Sequence, residues 1–147
     1  MDSNQRPDEP LDPTARIEAY FHACSTGTAD DIAAHFIDDA VIWDTNLAPC
    51  RGADAVGAMW VKVRRRWGGA VWTVDSAVTD GATAAIEWTM TGTEPREQRP
   101  FTFHGSEHYA FQDSLIAEIR QYWTFDPHRL DTGLVDWPYD TARERDA

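Results

Sequence analysis

Residues 101–125 read FTFHGSEHYAFQDSLIAEIRQYWTF. Two runs with period-2 alternation, Phe101 to Phe111 and Leu115 to Phe125, flank the polar cluster Gln112-Asp113-Ser114, a pattern that predicts two strands joined by a hairpin. Working back along the chain, Ala70 to Val78 and Thr83 to Thr93 alternate in the same way around Asp80-Gly81. Four successive strands are therefore expected, paired antiparallel as a meander. Successive side chains of a strand point to opposite sides. Phe101, Phe103, Gly105, Glu107, Tyr109 and Phe111 thus share one face, and Thr102, His104, Ser106, His108 and Ala110 share the other. Glu107 falls inside an aromatic stripe, where desolvation raises the pKa of a carboxyl that lacks a charged partner.

Upstream of Gly68 the period is 3.6. Asp12 can cap a helix whose first position is Pro13 and whose apolar face carries Ile17, Tyr20, Phe21 and Cys24, with a stop near Gly27. Thr28 with Asp31 resembles a capping box, and Ile32 with Phe36 gives a short second helix running to about Ile37. A turn at Asp38-Asp39, a short strand from Ala40 to Asp44, and a loop through Asn46, Pro49 and Gly52 follow. Val56, Met59, Trp60, Val63 and Trp67 line one side of a third helix. Three helices followed by a curved antiparallel sheet make an α+β layout in which the helices cover one sheet face and leave a hollow. The reading divides the chain into a flexible arm over residues 1–11, one folded domain over 12–138, and a polar tail over 139–147.

The length of 147 residues suits one domain with one principal site. A formal charge of −12 repels a phosphate backbone, so no nucleic acid is expected as a partner. The basic cluster Lys62, Arg64, Arg65 and Arg66 reads as the solvated last turns of a helix, where cations suit the dipole. Cys24 and Cys50 stand in unrelated contexts without metal spacing, which suits a reduced cytoplasmic pair. His104 and His108 lie about 13 Å apart along a strand, too far for one ion, so no metal is expected. No apolar run spans a bilayer and the first residues are unlike a signal peptide, which predicts a cytoplasmic protein with no membrane partner.

Three polar side chains point toward the hollow: Tyr20, Asp44 and Glu107. The stretch Ile17-Glu18-Ala19-Tyr20 through Thr26-Gly27, with Ile32, Phe36, Asp38-Asp39-Ala40 and Val41-Ile42-Trp43-Asp44, resembles the opening of ketosteroid isomerases and their SnoaL-like relatives in the nuclear transport factor 2 superfamily. Ser106-Glu107-His108-Tyr109-Ala110-Phe111 resembles the strand on which those isomerases place a second oxyanion donor, an aspartic acid that here is Glu107. The resemblance implies a cone-shaped fold, with Tyr20 donating to a substrate oxyanion, Asp44 as general base and Glu107 as the protonated second donor. It also implies acid/base chemistry on a small hydrophobic carbonyl compound, polyketide-, steroid- or aromatic-like. Trp43, Trp60, Phe103, Tyr109, Gln121 and Trp123 are expected to line the substrate. Bulky Trp side chains in the hollow favour a ligand smaller or flatter than a steroid. Ile119-Arg120-Gln121-Tyr122-Trp123 is similar to the closing strand of limonene epoxide hydrolases, where an Asp replaces Gln121. An amide is no base, which argues against epoxide opening.

The function expected is that of a cofactor-independent isomerase or cyclase. The alternatives are a non-catalytic small-molecule-binding or dimerisation module, and a dehydratase in which His104 or His108 turns inward to work with Asp44. Exposed apolar strand faces predict a homodimer through the outer side of the sheet.

Overall fold

A computed structural model describes residues 11–139. The arm and tail expected at the termini lie outside the described residues, apart from Leu11 and Tyr139. Helix α1 (Pro13–Thr26) starts where the Asp12 carboxylate accepts the Ala15 N–H at 2.8 Å, and ends where the Gly27 N–H returns to the Ala23 carbonyl at 2.7 Å. Its buried side carries Ile17, Tyr20, Phe21 and Cys24. Helix α2 (Ala29–Ala33) begins with the reciprocal capping box: Asp31 N–H donates to Thr28 Oγ1 at 3.1 Å and Thr28 N–H to Asp31 Oδ2 at 2.9 Å.

Strand β1 (Phe36–Asp44) replaces both the end of the expected second helix and the expected turn. The chain extends from Phe36 because Phe36 already pairs with Ile116, and Asp38-Asp39 are exposed residues inside a register shift between Phe36 and Val41. The loop after β1 contains strand β2 (Cys50–Arg51), paired antiparallel with Val41-Ile42. Helix α3 (Ala53–Arg66) buries Val56, Gly57 and Trp60, with Met59, Val63 and Trp67 partly covered.

The meander runs as expected. Strands β3 (Val71–Thr79), β4 (Thr83–Glu94), β5 (Arg99–Gln112) and β6 (Leu115–Trp123) pair antiparallel in sequence order. The sheet as a whole is mixed, not antiparallel. Its order is β2-β1-β6-β5-β4-β3, with β1 parallel to β6 and the short strand β7 (Asp131–Thr132) parallel to β5. Parallel neighbours cannot be joined by a hairpin, and β1 reaches β6 only after α3 and the whole meander. The helices cover the face that carries Ile42, Ile86, Met90, Phe101, Phe103 and Ile119, giving an α+β cone fold whose curved sheet is open, not closed into a barrel. No helix among the described residues is long and apolar enough to cross a membrane.

Two contacts fix the helices on each other. Gly57 lies against the Ala29 backbone so closely that an added Cβ would overlap the Ala29 carbonyl. Arg64, expected to be solvated, instead reaches across to the C-terminal carbonyls of α1, donating to Cys24 O at 2.7 Å and Gly27 O at 2.8 Å. A guanidinium there satisfies carbonyls that α1 itself leaves open and opposes the negative end of its dipole. Arg64→Met is expected to cost about 2 kcal/mol in chemical unfolding, whereas Arg65→Met is expected to cost under about 0.5 kcal/mol. Equal effects at the two positions would show that the bridge to α1 contributes nothing.

Candidate functional site

Three adjacent strands set three polar side chains in one row on the inner face. Asp44 of β1 is in register with Gln121 of β6, and Gln121 with Glu107 of β5. Residues opposite each other on one face of a sheet are within side-chain reach. Glu107 is 4% exposed and Gln121 5%, while Asp44 sits half-buried at the mouth of the row. Tyr20 of α1, 1% exposed, and Tyr109, two residues beyond Glu107 on the same face, complete the buried group.

The hydrogen bonds assign roles. Tyr109 Oη donates to Glu107 Oε2. Asp44 Oδ2 accepts from Gln121 Nε2 and from Trp123 Nε1, the latter at 3.0 Å. Asp44 Oδ1 accepts from the backbone N–H groups of Asn46 at 2.6 Å and Leu47 at 3.1 Å. Asp44 thus caps its own turn and anchors two side chains of β6 at the same time. The Tyr20 hydroxyl, a donor, lies beside the Cys24 thiol one helical turn on. Sulfur is a weak acceptor, so this donor is available to a better one.

Electrostatics follow from burial. Desolvation pushes the Glu107 carboxyl up to about 8, against the pull of the Tyr109 hydrogen bond, and the negative charge of Asp44 pushes it further in the same direction. Burial first, then the neighbouring Cys24 and Glu107, hold the Tyr20 hydroxyl well above its ordinary value. Tyr109 is raised likewise, by burial and then by Glu107. At neutral pH the interior therefore presents a carboxylic acid and two phenols, all protonated, beside Asp44.

The remaining expected residues divide by strand face. Phe103 stacks on Phe101 with ring centroids 5.0 Å apart and packs on Trp123 at 5.6 Å; Trp60 meets Trp72 edge-on at 5.5 Å. Trp43 is a correction. It alternates away from Ile42 and Asp44, is 38% exposed, and carries the Arg51 guanidinium 5.2 Å from its ring on the outer face, so it cannot line the hollow. Tyr109 and Gln121, expected as substrate contacts, are instead engaged with Glu107 and Asp44. Arg120 pairs with Glu118 at 2.6 Å on the exposed side and leaves Glu107 to Tyr109.

No bulge turns the histidines inward. His104 bonds Thr89 Oγ1 at 2.9 Å on the outer face, where Thr89 also donates to Asp75, and Tyr139 stacks on the His104 ring at 3.5 Å. His108 is exposed against Tyr122. The dehydratase reading loses its base. Cys24, read only as part of an apolar helix face, is the site neighbour that sequence reasoning missed; its spacing of one turn from Tyr20 was the available signal.

The family of SnoaL-like domains is matched over residues 17–119, more than half of the chain. Comparison with the curated proteins gives no match. Among solved structures, a Methylobium petroleophilum protein of unknown function with a cystatin-like fold is 26% identical, with 86% of each chain covered and a TM-score of 0.64. A Catenulispora acidiphila protein with a ketosteroid isomerase-like fold, solved in complex with trimethylamine, is 16% identical, with 88% of this chain and 98% of that chain covered and a TM-score of 0.72. A candidate polyketide cyclase from Sinorhizobium meliloti is 25% identical, with 73% of this chain and 93% of that chain covered and a TM-score of 0.58.

The raised Glu107 pKa has a thermodynamic consequence. The folded state keeps a proton that the unfolded chain releases between about 4.5 and about 8. Stability contributed by the neutral acid is thus fully present below that window and is lost as pH rises through it. Denaturant midpoints measured across pH should show wild type losing a few kcal/mol relative to Glu107→Gln over this window and levelling above it. A difference that stays flat would mean that Glu107 is ionised in the folded protein.

Proposed function

Because the chain belongs to the family of SnoaL-like domains, we propose that it is a cofactor-independent isomerase or cyclase that moves a proton on a small hydrophobic carbonyl compound, polyketide-, steroid- or aromatic-like. The observation that carries this reading is the buried Glu107 acid, held protonated near neutral pH beside Tyr20 and next to a row that ends in Asp44. Tyr109 donates to Glu107 Oε2, which leaves the acid proton for Oε1 and a ligand.

In the proposed reaction the ligand carbonyl oxygen accepts from the Glu107 acid and from Tyr20. Asp44 takes a proton from the carbon alpha to the carbonyl. The C–H electron pair moves into the C–C bond and the carbonyl pair onto oxygen, where the two donors stabilise the enolate. The same proton returns to a different carbon in an isomerisation; in a cyclisation the enolate carbon bonds to a second carbonyl carbon, the first C=O re-forms, and the π pair of the second goes to its oxygen, which takes the proton back from Asp44. A low-dielectric wall of Phe103, Trp60 and Trp123 strengthens both donor bonds. Asp44 accepts a proton at Oδ2 when Gln121 or Trp123 swings away, since its Oδ1 is fixed by backbone.

That same saturation of Asp44 favours a second reading, a ligand-binding module that keeps the pocket without proton transfer. A planar phenol, which mimics the enolate, separates the two when its binding is followed by tryptophan fluorescence. Proton-transfer chemistry predicts micromolar binding that tightens about tenfold in Asp44→Asn and weakens about tenfold in Tyr20→Phe. Binding that ignores both substitutions supports the module and removes the enzyme reading.

Val71, Val78 and Tyr122 leave apolar surface on the outer sheet face and support a homodimer through it. Light scattering is expected to give twice the chain mass for wild type and the chain mass for Tyr122→Arg. A monomeric wild type would refute the assembly.

A further inference from the structure

Among the described residues, Trp60 Nε1, Trp88 Nε1, Gln121 Oε1 and Thr132 Oγ1 are buried side-chain atoms without a hydrogen-bond partner. Of these, Gln121 belongs to the polar row. The two indoles are donors on α3 and β4 that stay unpaired themselves, and Thr132 lies on β7 beside Phe103, so none of the three fills the open acceptor. A buried amide oxygen left open is costly, and such atoms are rare in protein interiors.

The row fixes where that oxygen faces. Gln121 has Asp44 of β1 on one side and Glu107 of β5 on the other, each in direct register. Its Nε2 donates to Asp44 Oδ2, and turning the amide over would set oxygen against carboxylate, acceptor against acceptor. Nε2 is thus held on the β1 side, and Oε1 is turned from Asp44 toward β5. On its other side Glu107 has Ile86 of β4, which has nothing to accept a proton. The Glu107 carboxyl accepts from Tyr109 at Oε2, which leaves its own proton at Oε1. A carboxylic acid is a donor as well as an acceptor, and its proton goes where a neighbour can accept it. The open acceptor of Gln121 and the acid proton of Glu107 therefore stand opposite each other on paired strands, where facing side chains are in reach.

We propose that Gln121 is the positioning residue of the row: its Oε1 accepts the Glu107 O–H while its Nε2 holds Asp44, so that one amide joins the donor and the base. The hydrogen bonds then run in one direction, from Tyr109 to Glu107, from Glu107 to Gln121 and from Gln121 to Asp44, and each strengthens the next. An amide suits this place because it carries a donor and an acceptor on one planar group. A carboxylate there would set a third acidic group between Asp44 and Glu107, and an ammonium would have nothing with which to accept the acid proton. While the site is empty, the chain keeps the proton on Glu107 and the negative charge on Asp44. A ligand carbonyl oxygen then takes the O–H over from Gln121. That last use rests on the function proposed above, whereas the chain itself does not.

Carbon-13 NMR of the ligand-free protein tests the chain. In wild type the Gln121 Cδ resonance is expected to move with the same midpoint as the Glu107 carboxyl, because its oxygen loses a donor when the acid ionises. In Gln121→Met and in Gln121→Leu the proton affinity of Glu107 should fall about tenfold, since the neutral acid loses its acceptor. The sign is decisive. Replacing an amide that made no bond to Glu107 by an apolar side chain would deepen the burial of the acid and raise its proton affinity. The titratable groups that act on Glu107, namely Tyr20 and Cys24 of α1, Tyr109 of its own strand and Asp44 of β1, are the same in both variants. A flat Gln121 resonance in wild type, or a Glu107 proton affinity that stays or rises in the variants, would overturn the assignment. Neither outcome touches the isomerase or cyclase reading, which the phenol experiment decides, and a failure of phenol binding leaves the chain standing.

Discussion

One carboxyl group, Glu107, is buried in an aromatic stripe with no cation beside it, and the rest of the site is arranged around that constraint. A charge in this position would face a desolvation penalty and the negative field of Asp44. The group responds by holding its proton, and Tyr109 satisfies the oxygen that remains an acceptor. Asp44 sits at the half-buried end of the row, where four N–H donors surround it. Two neighbouring carboxyls thus divide into an acid inside and an acceptor at the mouth, which is the asymmetry that proton transfer needs.

The fold produces this asymmetry through a pairing that no hairpin makes. Asp44 meets Gln121, and through it Glu107, only because β1 lies parallel against β6 after the chain has passed through α3 and the meander. The turn that follows β1 is closed by the Asp44 carboxylate itself, so the residue that ends the strand also ends the polar row. On the opposite wall, α1 is held by Arg64, whose guanidinium binds the carbonyl of Cys24, one helical turn from Tyr20. Structural and candidate catalytic contacts therefore run through the same few residues.

Period-2 alternation made β3 to β6 legible in the sequence, with edges within a residue or two, and the caps at Asp12 and Thr28 were equally plain. The inward face of Glu107 followed from parity alone. Pairing between distant segments was not legible. Local pattern gives no sign that Phe36 joins Ile116, so it predicts helix and turn at the start of β1 and a purely antiparallel sheet. The same blindness placed Trp43 at the site, although parity with Asp44 argues against both facing inward. Arg64 shows the limit for charges: a basic run at a helix end looks solvated until the partner helix is in place. Side-chain engagement was also hidden, since nothing local shows that Gln121 is spent on Asp44 and Tyr109 on Glu107.

The central claim is that Glu107 is a neutral acid in the folded protein at physiological pH. Glutamate labelled with carbon-13 at Cδ, assigned by comparison with Glu107→Gln and titrated by NMR, tests it directly. The Glu107 carboxyl resonance is expected to titrate with a midpoint near 8. A Glu107 resonance that titrates near 4.5 would contradict it, and with it the proposed donor to the substrate oxygen.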